Sequence, residues 1–513
     1  MNPLTQATID LVKQAQASLD PNQIAKAYTV AGGLVNYDLQ APALKLFPVL
    51  APLRNIVPRV QGNGGTATNW RAVTAINTGN FAPGVSEANR SGFMTSTFAN
   101  YVATYKGIGL EDYVSFEADY AAAGFDDLKA KAVANLLSAL MIEEERVILG
   151  GNSSTPLGTA NTPTVATSTT GGAIATATAV YVRVVGLTLD GYRRASVSAG
   201  LPGQLTRTNA DATSDNMGGG NGIISAAGNQ TTGAGSTNSI QGSVTPKPGE
   251  VAWAWFWGVS AAAATLGAIT TVNSINITTA AGTGSQVATD AKVSTDYSQN
   301  TLIYDGLLSQ VFGTGAYTAW QTLGGVTMQT TNSGAIVGNL ATGTPGTGST
   351  LTSDGAGGVV EIDAMLRAYW DQFRMSPTRI ICHAQEATNI NKKILAGTTG
   401  SLVRFNTDWA TPTDAPGVGG TGTRAYYNKY TGQLIQIMIH PYAVPGTVLF
   451  YSDSIPYPLS GVGNVIQIKT RRDYYQLEWP VTKRRYEYGV YADEVLQNYA
   501  PFAFAILQNI QNG

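Results

Sequence analysis

The residues of this chain best suited to chemistry are its single cysteine, Cys382, and its two histidines, His383 and His440. A thiolate beside an imidazole base would support nucleophilic catalysis. The spacing argues against it. Cys382 and His383 are adjacent, and neighbouring side chains of a strand point to opposite faces; only the fold could bring His440 close. A buried structural cysteine is the simpler reading. Glu143, Glu144 and Glu145 run together beside Arg146, a set that could do acid–base or metal work. No His-x-x-His or Cys-x-x-Cys spacing accompanies them. In the last turns of a helix they read as a solvated or interfacial face. Gly417, Gly419 and Gly422 fit G-x-G-x-x-G, which binds phosphate only between a strand and a helix. Here the match lies between a loop at 411–416 and a strand-like segment at 424–427. No catalytic residue, cofactor or metal is therefore expected, and the chain does not read as an enzyme.

Two further groups carry possible binding chemistry. Lys469, Arg471, Arg472, Lys483, Arg484 and Arg485 fall close together, interleaved with Tyr474, Tyr475, Trp479 and Tyr486. Such a stretch could face phosphate. With Asp473, Glu478, Glu487, Asp493 and Glu494 nearby, ion pairs between subunits are favoured over that reading. Trp253, Trp255 and Trp257 alternate and could stack on sugar rings if exposed; a sandwich core is the blander and stronger explanation.

The elements that must position these groups come from an unusual composition. The chain has 513 residues, 31 basic against 33 acidic, and only 12% are charged. A solitary globule uses roughly 25% charged residues, in part to stay apart from its copies. With 58 glycines and long Thr, Ser, Asn and Ala runs, this surface is either uncharged and polar or covered by neighbours. Near-zero net charge gives no global pull toward nucleic acid or anionic membrane. One cysteine forbids an internal disulfide and fits assembly in a reducing cytoplasm. The first twenty residues lack the apolar core of a signal peptide, and the longest apolar stretch, 251–264, is too short to span a bilayer.

Along the chain, 2–19 reads as a short helix and 39–58 as an extended arm whose prolines exclude helix and central strand. Segment 59–110 reads as one long hairpin, with strands at 70–76 and 94–106 and a tip at Gly79, Pro83 and Gly84. A hairpin so long and so poor in large apolar residues forms no core of its own. Segment 125–149 is the clearest helix: Phe125, Leu128, Ala132, Leu136, Leu140 and Val147 recur mostly at three- and four-residue steps, over roughly 37 Å. From 152 to about 288 the texture is Thr/Gly/Ser-rich with short strands, an inserted β-sandwich, with 200–239 as loop. Residues 324–358 are loop-like; 359–373 and 385–395 read as helices, and the end of the chain is strand-rich.

This order of parts resembles the tailed-phage major capsid protein family. The local texture agrees at Glu143-Glu144-Glu145-Arg146, Gly150-Gly151-Asn152, Ser376-Pro377-Thr378-Arg379-Ile380-Ile381-Cys382, 389–395 and Tyr486-Glu487-Tyr488-Gly489-Val490-Tyr491. The resemblance covers about 1–152 and 290–513. It implies an α+β Hong Kong 97-like coat fold with an N-terminal arm at 1–58 and an extended hairpin loop at 59–110 lying across a neighbour. A peripheral domain with a spine helix follows at 111–152, then an inserted Ig-like or fibronectin-like sandwich at 153–288. An axial domain at 289–451 and C-terminal strands at 452–513, shared by both domains, complete it.

The same resemblance implies a structural subunit that self-assembles into hexamers and pentamers of an icosahedral virion, enclosing double-stranded DNA and formed in the host cytoplasm. Portal and scaffolding proteins, with a possible decoration protein, are the implied partners; no membrane and no cofactor are. The expected subunit-interface residues are Trp70, Glu87, Arg90, Glu143, Glu144, Arg146, Arg471, Arg472, Glu478, Arg484, Arg485 and Glu487, with Lys469 and Lys483 as DNA-facing candidates. Within the same fold, an encapsulin-like compartment is the alternative; from another class, a β-rich adhesin explains the Thr/Gly/Trp stretches but not the helix at 125–149.

Overall fold

The computed structural model describes residues 48–80, 82–124, 126–396, 425–458 and 460–511. The helix expected at 2–19 and the glycine motif at 417–422 lie outside them. The chain divides into two units, residues 1–48 with 114–131, and 49–113 with 132–513. In the smaller unit, the helix Phe116–Ala122 is capped by Ser115, whose Oγ accepts from the Ala118 N–H at 3.2 Å. Lys129 pairs with Asp119 at 2.9 Å, and Lys131 pairs with Asp126.

The larger unit is built on two sheets and a two-sheet sandwich. The C-terminal half supplies all of an eight-stranded mixed sheet. Its order is Thr318–Leu323, Val326–Thr330, Ile336–Leu340, Ala505–Gln508, Val448–Tyr451, Arg379–Cys382, Gln433–Ile439, Ala425–Asn428. The end of the chain thus enters the middle of this sheet, parallel to Ile336–Leu340 and antiparallel to Val448–Tyr451. The helix Val360–Phe373 packs on it with Ile362, Met365, Leu366 and Tyr369 buried, the three- and four-residue spacing of an amphipathic helix. Segment 324–358, read as loop-like, contains two of these strands. Val326, Met328, Ile336 and Val337 are fully buried; each strand has only five residues between glycines and turns, too short for a period to stand out.

A second sheet has the order Arg59–Gln61, Ile466–Glu478, Arg485–Asn498, Lys106–Ser115. The long hairpin, Ala67–Ile76 paired antiparallel with Ser96–Thr104, therefore leaves from one edge of this sheet and returns to the other. The 39–58 arm needs one correction. Proline there does not exclude helix, because Pro52 opens the helix Pro52–Ile56, where a missing N–H costs nothing.

Residues 164–277 form two antiparallel sheets face to face. One has the order Ser274–Ile277, Ser239–Ser243, Thr164–Ser168; the other Thr265–Thr270, Ala252–Gly258, Ala179–Leu187, Gly228–Thr231. Trp253, Trp255 and Trp257 point between them with Val180, Val182, Val184, Ile240 and Ile275. The opposite face of the same strand, Ala252, Ala254 and Phe256, is covered by Leu201, Ile224, Leu266 and Val293. Burial on both faces explains its unbroken apolar sequence. Segment 200–239, read as loop, holds a small ribbon, Gln204–Thr208 with Ser214–Gly218, and the strand Gly228–Thr231. The ribbon's side chains are mostly exposed, so no hydrophobic alternation marks it.

Candidate functional site

Two features stand out from the packed body, an uncovered ribbon and a buried charge cluster at its root. In the hairpin strands no side chain is fully buried. Val73, Ile76, Phe98, Tyr101 and Val102 are exposed along them, and at the tip Phe93 is 86% exposed beside Met94. Antiparallel pairing satisfies the backbone, while the apolar side chains find only a few partners. Arg71 lies 4.5 Å over the Phe98 ring. Near the root, Trp70 stacks on Tyr101 at 5.7 Å and meets Tyr499 edge-on at 5.7 Å. Its indole N–H is buried without a partner.

The charge cluster begins on the helix Leu128–Gly150. Its buried face is Ala132, Leu136, Leu140, Glu144 and Ile148, with Glu145 beside it. Continuing the four-residue step from Leu140 lands on Glu144, a signal present in the sequence; the expectation of a solvated or interfacial face for Glu144 and Glu145 is therefore corrected. Both are fully buried. Burying an ionised carboxylate is tolerated only with charged and hydrogen-bonded partners, and the fold supplies them. The Glu145 carboxylate accepts from the Leu53 and Arg54 N–H groups at 2.8 and 2.7 Å, satisfying the open first turn of the helix Pro52–Ile56. His440 Nε2 lies 2.5 Å from the same carboxylate. Glu144 accepts from Arg54 Nε at 3.1 Å, from Arg59 and from the Tyr474 hydroxyl.

Arg59 is the hub. Its guanidinium also donates to Asp473 and Glu494, both at 2.7 Å, and lies 4.7 Å over the Tyr474 ring. It thereby joins the hairpin root to the long helix and to both long strands. Burial opposes its charge, yet Glu494 and Glu144 hold its pKa above the ordinary value. Glu494 is pushed up to about 7 by burial and by Glu144, against Arg59 and the Tyr304 hydroxyl, which donates to it at 2.8 Å. Arg54, Arg59 and His440 were not among the expected site residues. Their partners lie 85 to 435 positions away, beyond any local pattern.

The remaining expected residues are scattered. Glu87 and Arg90 are exposed at the hairpin tip. Glu143 is half exposed and pairs with Arg146, whose guanidinium lies 4.8 Å over Tyr442. The basic stretch belongs to two long paired strands whose outer part is charged on both faces, which hid their length. There Arg471 pairs with Asp493 at 2.9 Å, Arg485 with Glu487 at 2.5 Å, and Arg472 lies 3.9 Å over Tyr475. These contacts are within the chain, where pairs between subunits were expected. Glu478, Lys483 and Arg484 are exposed near the turn between the strands, and Lys469 is half-buried with its Nζ 3.5 Å from the Gln61 carbonyl.

Folding does bring His440 beside Cys382, its N–H donating to the Cys382 carbonyl at 2.9 Å. The ring turns to Glu145 instead, and burial pushes the Cys382 thiol up to about 12, opposite to the shift a nucleophile needs. Among the described residues no group of three metal-binding side chains occurs, and no helix is long and apolar enough to cross a membrane.

No protein-family model matches the chain, and no curated relative matches it in sequence. Several solved structures are similar to it over most of its length. The capsid of an empty GTA particle aligns at TM-score 0.45 and 10% identity, over 94% of this chain and 98% of that one. The capsid of a native GTA particle aligns at TM-score 0.42 and 10% identity over the same shares. The capsid of cyanophage A-1(L) aligns at TM-score 0.42 and 11% identity, over 95% of this chain and 99% of that one.

Proposed function

We propose that this chain is a structural subunit of a closed icosahedral shell, the major capsid protein of a tailed phage, and that it does no catalysis. One observation carries the reading: a ribbon with no fully buried side chain, Ala67–Ile76 with Ser96–Thr104, bears a row of exposed apolar residues and is fastened at its root by a buried ionic cluster. An isolated two-stranded ribbon is marginal in water, and exposed apolar patches of this kind mark interaction sites. A second copy of the same chain is the partner that makes every ribbon useful, each lying on the next in a head-to-tail ring. Sparse charge, 12% of all residues, agrees with large obligate interfaces of about 2,000–5,000 Å².

In this reading residues 1–58 are the N-terminal arm and 59–110 the extended loop over a neighbour. Residues 111–152 form the peripheral domain around the spine helix, and 289–451 the axial domain. The C-terminal strands of 452–513 serve both, and the Ig-like insertion at 153–288 projects outward. Hexamers and pentamers enclose double-stranded DNA, with portal, scaffolding and decoration proteins as partners, and assembly takes place in the host cytoplasm. Trp70, Glu87, Arg90, Glu143, Arg146, Arg471, Arg472, Glu478, Arg484, Arg485 and Glu487 are proposed at contacts between copies, and Lys469 and Lys483 toward DNA. Electron microscopy and sedimentation of the purified full chain test the proposal. Closed shells support it; monodisperse monomers at high concentration overturn it.

A further inference from the structure

A groove of about 730 Å³ opens in the larger unit beside the long helix; the shell reading assigns two of its lining residues, Glu143 and Arg146, to contacts between copies and gives the others no role. Leu140 and Val147 of that helix line it. So do two strands. Residues 107–110 belong to the outermost strand of the four-stranded sheet, and residues 205–207 to the two-stranded ribbon of the insertion. Each contributes consecutive residues to the lining. Among the described residues each has a paired neighbour on one side only. An open strand edge is a template for a further strand.

The charges along the groove are uneven. Arg146, Arg193 and Arg194 share only Glu143 and Asp190, since Glu144 is committed to Arg54 and Arg59. Arg194 takes Asp190 at 2.8 Å, and Arg146 takes Glu143. That leaves Arg193 with an Asp190 oxygen at 4.0 Å, while Arg146 Nε is buried with no partner. Burial, and then the neighbouring Arg146, hold the Arg193 pKa below its ordinary value. Its guanidinium also lies 5.5 Å over the Tyr442 ring, with that long Asp190 contact as its ion pair. A mostly apolar cleft with a few convergent polar groups is the usual form of a binding site.

We propose that this groove takes an extended peptide of a partner protein, alternating apolar and acidic residues, which adds as a strand to the edge at 107–110 while an acidic side chain meets Arg193. The mode is strand addition: backbone bonds supply affinity, and the alternate side chains, set against Leu140, Val147 and Arg193, supply selectivity. Arg207 is already neutralised by Asp215 at 2.6 Å, so the surplus positive charge sits at the Arg146–Arg193 end of the lining.

The test uses the unassembled full chain and a fluorescein-labelled octapeptide alternating valine and glutamate. Saturable anisotropy is expected, with slowed amide exchange at 107–110 and 205–207. R193E and R193Q should weaken binding by about tenfold or more, as loss of a charge-assisted pair does. The same peptide with alternate backbone nitrogens methylated should not bind, nor should one with lysine for glutamate. The exchange measurement on the unaltered chain covers the case in which a variant folds poorly. Absence of saturable binding, indifference to N-methylation, or protection elsewhere overturns the proposal. So does protection of 107–110 in peptide-free shells, because a second copy then fills the groove.

Discussion

Arg59 donates to Glu494 at 2.7 Å across 435 positions of sequence, and through that contact the root of the uncovered hairpin is fixed to the second of the two long strands. The same guanidinium holds Glu144 of the long helix and Asp473 of the first long strand. A ribbon that cannot hold itself is therefore aimed by a rigid, desolvated base. Removing one partner from such a cluster leaves an uncompensated buried charge.

Glu145→Ala should lower the unfolding free energy of the unassembled chain by about 3–5 kcal/mol, because Leu53, Arg54 and His440 all lose their acceptor. Glu143→Ala, two positions away at a half-exposed pair, should change it by less than about 1 kcal/mol. Urea unfolding of the two variants side by side checks the contrast. Equal losses would show that the buried and exposed members of the triplet are not distinct.

The stability of the cluster should fall as pH rises. Burial and Glu144 lift the Glu494 carboxyl from its ordinary 4.5 to about 7, so the folded chain binds that proton more tightly than the unfolded chain does. The resulting stabilisation is complete below pH 4.5 and is lost as pH rises through about 7. Glu494→Gln, neutral at every pH, should flatten the decline in thermal midpoint between about pH 5 and 8. An unchanged slope in the variant assigns the decline to other groups.

Phe93→Asp and Val102→Asp should leave monomer stability within about 0.5 kcal/mol, since both side chains are exposed. Both should abolish closed shells in electron micrographs. Shells of normal yield from both variants would remove the hairpin from the assembly interface.

Trp255→Ala empties a fully buried position between the sandwich sheets and strands Thr270 Oγ1, which accepts from the indole N–H at 2.8 Å. A loss of about 3–5 kcal/mol is expected in chemical unfolding. If the substitution costs little, the tryptophans are not the sandwich core.

Cys382, buried and with its thiol near 12, should react with a disulfide reagent only when the chain unfolds. Rapid labelling of the native protein contradicts that placement. The rate under native conditions, compared with that in denaturant, decides it.

The parts legible in the sequence are those whose signal lies within one element. The helix Val360–Phe373 shows its period, and the strand Ala252–Gly258 is apolar throughout because both faces are covered. The hairpin announces itself by apolar residues too sparse for a core. The ribbon Gln204–Thr208 with Ser214–Gly218 and the outer half of Ile466–Glu478 were not legible, because exposed strands need no alternation.

What the sequence by itself determined is where apolar faces and turns fall, hence the helices, the tryptophan strand and a hairpin without a core. It even placed Glu144 in step with Leu136 and Leu140, on the face that the long helix buries. Only the tertiary structure decided which groups meet this glutamate there. Its compensating groups, Arg54, Arg59 and Tyr474, arrive from 85 to 330 positions away. Periodicity records which face is hidden, but the charge that makes hiding a carboxylate tolerable is set by contacts no local window contains.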